Sequence, residues 1–305
     1  MTDPFSELLH FAKTESSAGG GLQAAKPWAI AFSKLEKIKC FGIVRGSCWL
    51  RFENSKWNKV EEGDILMLSG LKSYILASAP EVKAIASKKI FPTERGTFAT
   101  IGSPSKADFE FVGGHTSLDE MSRKLLQSSL PSVVHIKSSD PNSASLMSIL
   151  KQLAQEYKEQ RPGSEVICNQ LSHLLFLKIL RGSVEAPEML KPGWLRSVGN
   201  SKILPAIQAI HAAPGNSWTV AKLASACSLS RSTFMDLFGR ETSISPLQYL
   251  AEWRMLLARQ QIKNNASSVG ELAESLGYSS ESAFSHAFKR IVGKSPKAYR
   301  EGVTA

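Results

Sequence analysis

The feature that most limits what this chain can fold into is a pattern written twice near its C-terminus. Ser230, Phe234, Phe238 and Arg240 return fifty positions later as Ser280, Phe284, Phe288 and Arg290. The register persists beyond them, since Ser245-Pro246 recurs as Ser295-Pro296 and Tyr249 as Tyr299. Upstream the offset is one shorter: Val220, Leu223 and Ala224 answer to Val269, Leu272 and Ala273. One supersecondary unit occurs twice, and each occurrence must bury its own apolar stripe.

Spacing identifies the unit. Val269, Leu272, Ala273 and Leu276 fall at i, i+3, i+4 and i+7, one face of a two-turn helix. Gly277-Tyr278 ends it, because glycine readily takes the left-handed conformation found at helix ends. Ser280 suits the N-cap of a second helix with Ala283, Phe284, Ala287, Phe288 and Ile291 on its apolar face. The first copy reads alike, through Val220, Leu223, Ala224 and Cys227, a turn, then Phe234, Leu237 and Phe238. Two short helices joined by a tight turn, the second amphipathic, make a helix-turn-helix. The polar faces of the second helices carry Arg231, Ser232, Thr233, Met235 and Asp236 in one copy and Glu281, Ser282, Ser285 and His286 in the other. Short hydrogen-bonding side chains near a helix N-terminus suit base edges in a major groove, although any solvated helix face carries polar residues too. Between the copies, helical spacing runs from Pro246 to Lys263. At 1.5 Å per residue this rod is about 27 Å long, near the roughly 34 Å that separates successive major-groove faces.

Residues 203–303 resemble the AraC/XylS-family DNA-binding domain: two helix-turn-helices on a connecting helix, with Ala273-Glu-Ser-Leu-Gly-Tyr278, Phe284, Phe288-Lys-Arg290 and Ser295-Pro296-Lys-Ala-Tyr299-Arg300 as the matching residues. The resemblance implies transcriptional regulation by sequence-specific binding of double-stranded DNA. It places base reading at Ser232, Met235 and Asp236 and at Glu281, Ser282, Ser285 and His286. Arg231, Arg240, Lys289, Arg290, Lys294 and Lys297 are expected on phosphates, where cations give salt-dependent affinity. Family members commonly carry arginine where Asp236 and His286 stand. An Asp accepts from cytosine but repels phosphate, so Asp236 is expected to pair with Arg240, four residues along the helix, or to act as a cap.

Charge agrees with a polyanionic partner. The chain is +10 with pI near 9.4, and residues 201–305 carry twelve Lys/Arg against seven Asp/Glu, half of that excess in a third of the length. Cys40, Cys48, Cys168 and Cys227 form no Cys-x-x-Cys pair and read as small buried apolar residues of a reducing cytoplasm. The acidic N-terminus lacks a signal-peptide core, and no stretch approaches eighteen apolar residues, so a soluble cytoplasmic protein with no membrane partner is expected, nucleoid-associated when bound to DNA.

The N-terminal half has a different grammar. Residues 5–13 suit a short helix, and Thr14 to Ala25, with three consecutive glycines at 19–21, reads as a flexible connection. From Pro27 to Ala86 come short β runs at Trp28–Phe32, Lys37–Val44, Cys48–Phe52, Trp57–Val60, Asp64–Leu68, Tyr74–Ala77 and Val82–Ala86, with more at Phe98–Ile101, Phe109–Val112 and Pro131–Ile136. Such spacing argues a sandwich or barrel. With Gly42-Ile-Val-Arg-Gly46-Ser-Cys-Trp49 and Glu62-Gly-Asp-Ile-Leu-Met-Leu68, it is similar to the cupin-like sensor domain of AraC-type regulators. Residues 27–86 hold no histidine, and His115 and His135, twenty apart, read as surface or hydrogen-bonded residues. No metal ligand, cofactor or catalytic residue is assigned, and the protein is not expected to be an enzyme. Phe41, Trp49, Phe52, Trp57 and Tyr74 are candidates to line a small-molecule mouth, but alternation turns half of such residues outward, so the effector site stays unassigned.

Two helices follow, with Leu146, Ile149, Leu150, Leu153 and Tyr157 on the first and an apolar run from Val166 to Ile179 on the second. The resemblance implies dimerisation through this pair; packing on the barrel is the alternative. The expected fold is α+β in two domains: residues 1–26 a helix and flexible segment, 27–140 the cupin-like barrel, 141–182 the helical hairpin, 183–201 a linker, and 202–305 the double helix-turn-helix. The function this implies is a transcriptional regulator controlled by a small-molecule effector, working as a homodimer, with RNA polymerase as a further partner. The rival readings are a constitutive DNA-binding protein whose barrel only dimerises and a metal-dependent cupin enzyme with a DNA-binding tail.

Overall fold

The computed structural model describes residues 3–12, 14–33, 36–53, 55–70, 73–91, 98–118, 123–263 and 268–304. The chain forms two compact units, Lys13–Met189 and a second made of Met1–Ala12 together with Leu190–Ala305.

The Lys13–Met189 unit is β-rich. A six-stranded sheet has the order β11-β6-β3-β10-β1-β9, with β1 at Thr14–Ala24, β3 at Ile38–Arg45, β6 at Ile65–Leu68, β9 at Phe98–Ile101, β10 at Phe109–Leu118 and β11 at Val133–Ile136. A five-stranded sheet has the order β5-β4-β7-β2-β8, with β2 at Ala29–Phe32, β4 at Ser47–Phe52, β5 at Asn58–Glu61, β7 at Tyr74–Ala77 and β8 at Ile85–Ala86. Their shared core contains Leu22, Ile30, Phe41, Ile43, Leu50, Leu66, Leu76, Phe109 and Phe111. These are the inward positions of alternating strands. Among the described residues the sheets are two separate ladders, not the closed barrel that strand spacing suggested. The short helix α2, Ser87–Ile90, follows β8.

Residues 14–24, expected as a flexible connection, are instead the eleven-residue strand β1, paired along its length with β10 and at its end with β9. The glycines that suggested flexibility are there for close approach. A Cβ on Gly19 would lie 2.8 Å from His115 Nδ1, and one on Gly21 would lie 2.7 Å from the Phe98 ring and 2.8 Å from Val112.

The helical hairpin, α3 at Ser143–Glu159 and α4 at Ser164–Glu185, lies on the outer face of the six-stranded sheet against β1, β3 and β10. Its polar groups are matched to strand backbone. The Tyr157 hydroxyl accepts from the Gly20 N–H at 2.9 Å and donates to the Gly113 carbonyl at 3.1 Å, and Asn169 accepts from the Ala18 N–H at 2.8 Å. Buried Asp64 ties β11 to the core, accepting from the Ser138 N–H and from His135, both at 2.9 Å, and from Lys137 at 3.2 Å. Burial pushes its pKa up, but these hydrogen bonds outweigh it and hold the carboxyl below the usual range.

The second unit is helical. It holds α5 at Trp194–Gly199, α6 at Leu204–Ala212, α7 at Val220–Ala226, α8 at Arg231–Thr242, α9 at Pro246–Lys263, α10 at Val269–Ser275, α11 at Glu281–Val292 and α12 at Pro296–Thr304. Part of the segment expected as linker belongs to it: Trp194, Leu195 and Val198 of α5 are buried. So does the first helix of the chain, α1 at Pro4–Phe11, which packs on α5 and α6. Leu8 is fully buried, and the Phe11 ring meets Trp253 edge-on at 5.0 Å. Under α1, the His211 ring stacks on Trp253 at 3.6 Å and bridges Glu7, at 2.6 Å from Nδ1, and the Tyr249 hydroxyl, at 3.0 Å from Nε2. Burial pushes His211 down to about 3 and Tyr249 well up. The histidine is therefore neutral, with Nδ1–H donating to Glu7 and Nε2 accepting from the phenol. Among the described residues no helix is long and apolar enough to cross a membrane.

Candidate nucleic-acid interface

The two repeats share one backbone plan at their turning points. Thr219 caps α7 by accepting from the Lys222 N–H, and Ser268 caps α10 by accepting from the Glu271 N–H. Each first helix ends in a left-handed residue, Ser228 with φ 55° and Gly277 with φ 73°. The next N–H in each reaches back five residues, Leu229 to the Ala224 carbonyl at 3.0 Å and Tyr278 to the Ala273 carbonyl at 2.8 Å. These are the helix-ending bonds of the Schellman type. Ser230 and Ser280 then cap α8 and α11, accepting from the Thr233 and Ala283 N–H groups. Such a cap is worth about 1 kcal/mol.

The apolar faces also correspond. Phe234 and Phe238 are fully buried with ring centroids 5.4 Å apart, and Phe284 and Phe288 with centroids 5.7 Å apart. Tyr249 meets Phe238 edge-on at 5.6 Å, and Tyr299 meets Phe288 at 5.7 Å. With one face of each second helix fixed in this way, the opposite stripe is fixed too. Arg231, Ser232, Met235 and Asp236 of α8 are exposed, as are Glu281, Ser282 and His286 of α11, with Ser285 half-buried beside them. Both sets follow i, i+1, i+4, i+5, one continuous face. Lys289, Arg290, Lys294 and Lys297 are exposed around the C-terminal end of α11. The helix α9 between the motifs has the eighteen residues that spacing indicated.

One expected pair is not formed. Arg240 does not pair with Asp236; its Nε lies 3.4 Å from Glu241, the buried neighbour that also accepts from Arg196 at 2.7 Å. Glu241 has drawn the arginine around the helix, and no hydrogen bond or ion pair of the exposed Asp236 carboxylate is found among the described residues.

In the β-rich unit, Phe41, Phe52 and Tyr74 share the inward-facing parity of their strands, whereas Trp49 lies on the outward parity of β4 and Arg51 stacks on the Trp57 ring at 4.6 Å. His135 is hydrogen-bonded, as expected, but His115 is mostly buried, without a hydrogen bond among the described residues, and burial together with Lys39 and Lys37 pushes it down to about 3. Strand reading passed over Lys39 as well. It is 6% exposed, and the alternation that sends Phe41 and Ile43 inward was the available signal. Cys40, Cys48 and Cys168 are buried and Cys227 half-buried, all as free thiols. Among the described residues no group of three or more His, Cys, Asp or Glu is placed to hold a metal ion.

A cupin-type sandwich joined to a doubled helix-turn-helix defines a DNA-binding transcription regulator. Residues 3–185 match the family described as Cupin, and residues 223–302 match one described as Helix-turn-helix domain. The chain is 31% identical to the "Putative AraC-like transcription regulator" of Streptomyces antibioticus over 300 residues, 98% of each chain. It is 29% identical to the "HTH-type transcriptional regulator AlkR" of Acinetobacter baylyi, over 90% of this chain and 91% of that one. Among solved structures, the DNA-binding domain of AdpA, crystallised with a target DNA, matches 34% of this chain and 93% of its own at 30% identity, with a TM-score of 0.32. The chain belongs to the AraC family of transcriptional regulators with an N-terminal cupin domain.

Proposed function

We propose that α8 and α11 read two successive major-groove segments on one side of the DNA, and that a small molecule bound in the sensor sets how well they do so. The observation that carries this reading is the matched exposed stripe on two N-capped helices whose opposite faces are locked by buried phenylalanines. Ser282, Ser285, Glu281 and His286 read bases in one segment, and Ser232, Met235 and Asp236 in the other. Arg231, Arg240, Lys289, Arg290, Lys294 and Lys297 hold the phosphates and fix the register. Asp236, exposed and without a partner among the described residues, selects cytosine N4 and disfavours arrangements that bring a phosphate near it. The effector acts through unequal affinity for two states of the protein, since a ligand that binds both equally shifts nothing.

Val166, Ile167 and Leu174 leave an exposed apolar stripe on α4, with Val166 64% exposed. This supports a homodimer formed through that helix, in a cytoplasmic protein that joins the nucleoid on binding DNA and there meets RNA polymerase. Replacing both Ser282 and Ser285 with glutamate tests the interface. Each lost base contact is worth about 1–3 kcal/mol, so specific retention in a mobility-shift assay falls at least tenfold while circular dichroism stays unchanged. Retention equal to that of the parent protein removes these residues from the interface.

A further inference from the structure

Lys39 is a cation in the wrong place for a structural residue. On β3 its side chain falls on the same side as Phe41 and Ile43, between the two sheets. Its ammonium nitrogen lies 4.2 Å from the Phe32 ring centroid, 5.5 Å from that of Phe111 and 5.6 Å from those of Phe41 and Tyr74. Among the described residues no carboxylate, hydroxyl or carbonyl is within hydrogen-bonding or ion-pairing distance of it. Ring faces attract a cation, but they do not replace the water and counter-charge that burial removes. Burial accordingly pushes the amine down to about 7.

Two more donors share this end of the sandwich. His115 stands directly across from Lys39 in the β3–β10 ladder. The Tyr74 hydroxyl, on a ring stacked against Phe32 at 4.5 Å, is buried without a hydrogen-bond partner, and burial keeps the phenol protonated. Tyr74 also borders a cavity of about 370 Å³ together with Arg51, Phe52, Glu53 and Ser73, a volume in the range of small-molecule sites. Three donors, one of them bordering the cavity and one an ammonium among aromatic rings, stand at this end with no carboxylate beside them among the described residues, an arrangement that suits an anion of modest size.

We propose that Lys39, His115 and Tyr74 form the head-group site for a small carboxylic acid with an aromatic or aliphatic body, bound inside the sensor. This rests on the reading of the sensor as an effector domain and names the class of effector. The carboxylate supplies the counter-charge that Lys39 lacks and accepts from the Tyr74 hydroxyl and the one N–H of neutral His115. The body lies against Phe32, Phe41 and Phe111. An aldehyde condensing with the neutral amine, releasing water to leave an imine, is the competing chemistry. It would use Lys39 alone and leave the other donors without acceptors.

Calorimetry and thermal shift on the full-length protein with benzoate, cinnamate and octanoate, each against its uncharged amide, test the site. At least one acid is expected to bind ten or more times tighter than its amide. Because binding re-protonates Lys39, it should take up protons near neutral pH, seen as a dependence of the heat on buffer ionisation. Lys39→Met removes a buried cation and keeps its volume, so it folds, and it is expected to lose the preference for acid over amide. Tyr74→Phe keeps the ring and weakens the acid severalfold. Equal binding of acid and amide, no acid binding, full affinity in K39M, or a borohydride-fixed adduct of benzaldehyde or cinnamaldehyde on Lys39 each overturns the proposal. Mobility-shift assays separate it from effector control. An acid that binds at Lys39 yet leaves DNA retention unchanged ends effector control and leaves the site standing.

Discussion

The two helix-turn-helices share a backbone plan but are stabilised by different means. The second uses glycine wherever the chain turns left-handed, at Gly277 and Gly293, and closes α10 with a full capping box between Ser268 and Glu271. The first places serine at both left-handed positions, Ser228 and Ser243, and has Lys222 where the capping glutamate stands in the other copy. What the first motif lacks locally it gains from packing. Its α8 ends in buried Glu241 paired with half-buried Arg196, and Tyr249 behind it is enclosed by Trp194 and His211. The matching positions of the second motif, Ile291 and Tyr299, are half-buried. A motif with good local chemistry tolerates a thin scaffold, and a motif with poor local chemistry needs a thick one.

That contrast is open to direct attack. Arg196→Met takes from Glu241 the closer of its two arginines and leaves Arg240 at 3.4 Å, a loss expected to cost about 2–3 kcal/mol. The loss should appear in denaturant unfolding followed by tryptophan fluorescence, while α11 keeps its amide-exchange protection; a loss below about 1 kcal/mol would mean that the scaffold matters little. Gly277→Ala strikes the other motif. It forces an alanine into the left-handed region and drives its Cβ into the Gly215 carbonyl, a combination expected to cost about 2 kcal/mol. Protection should fall first in α10 and α11, and uniform loss across the unit would deny the motifs separate stabilities.

Acid should also separate them. His211 is held at about 3 in the folded unit against about 6.5 when unfolded, so its contribution is complete above pH 6.5 and is lost as pH falls toward 3. Between pH 7 and pH 5 the unit should lose about 1–2 kcal/mol, and His211→Gln should flatten that slope in urea titrations repeated at each pH. An unchanged slope would show that Glu7 takes the proton in its place. The smallest effect is a gain: Ser228→Gly relieves the left-handed serine and should stabilise the first motif by about 0.5–1 kcal/mol, raising its melting temperature slightly. A decrease would mean that the serine side chain contributes more to the turn than its backbone strain takes away.

What could be read from the sequence follows the range of the interaction. The repeats were legible because caps, turns and i, i+4 faces are local, and Ser280 as N-cap or Pro246 at a helix start depends on a few neighbours. Most strands of the β-rich unit were legible to within a residue or two for the same reason, but β10 runs six residues past its expected end, β8 begins three residues late, and β1 was taken for a flexible connection. Gly19 to Gly21 were misread because their meaning lies in His115, Phe98 and Val112, which arrive from far along the chain. Asp236 was assigned to Arg240 by a helical-spacing rule, and only the burial of Glu241 against Arg196 diverts that arginine. Lys39 had a readable parity, but not the absence of acids among the residues that surround it. Helix α1 was read as a helix in a segment of its own, without the unit it packs into, since its partner His211 is 204 positions away.

That last placement makes the DNA-binding unit discontinuous in sequence, with the β-rich unit inserted between Ala12 and Leu190. A fragment made by cutting at the sensor's C-terminal border is therefore not a whole domain. It lacks the helix that covers Trp253 and His211, and it should be poorly behaved until a peptide spanning residues 3–12 is fused to it or added in trans. The β-rich unit is joined to that body by two covalent leads, one at each of its ends.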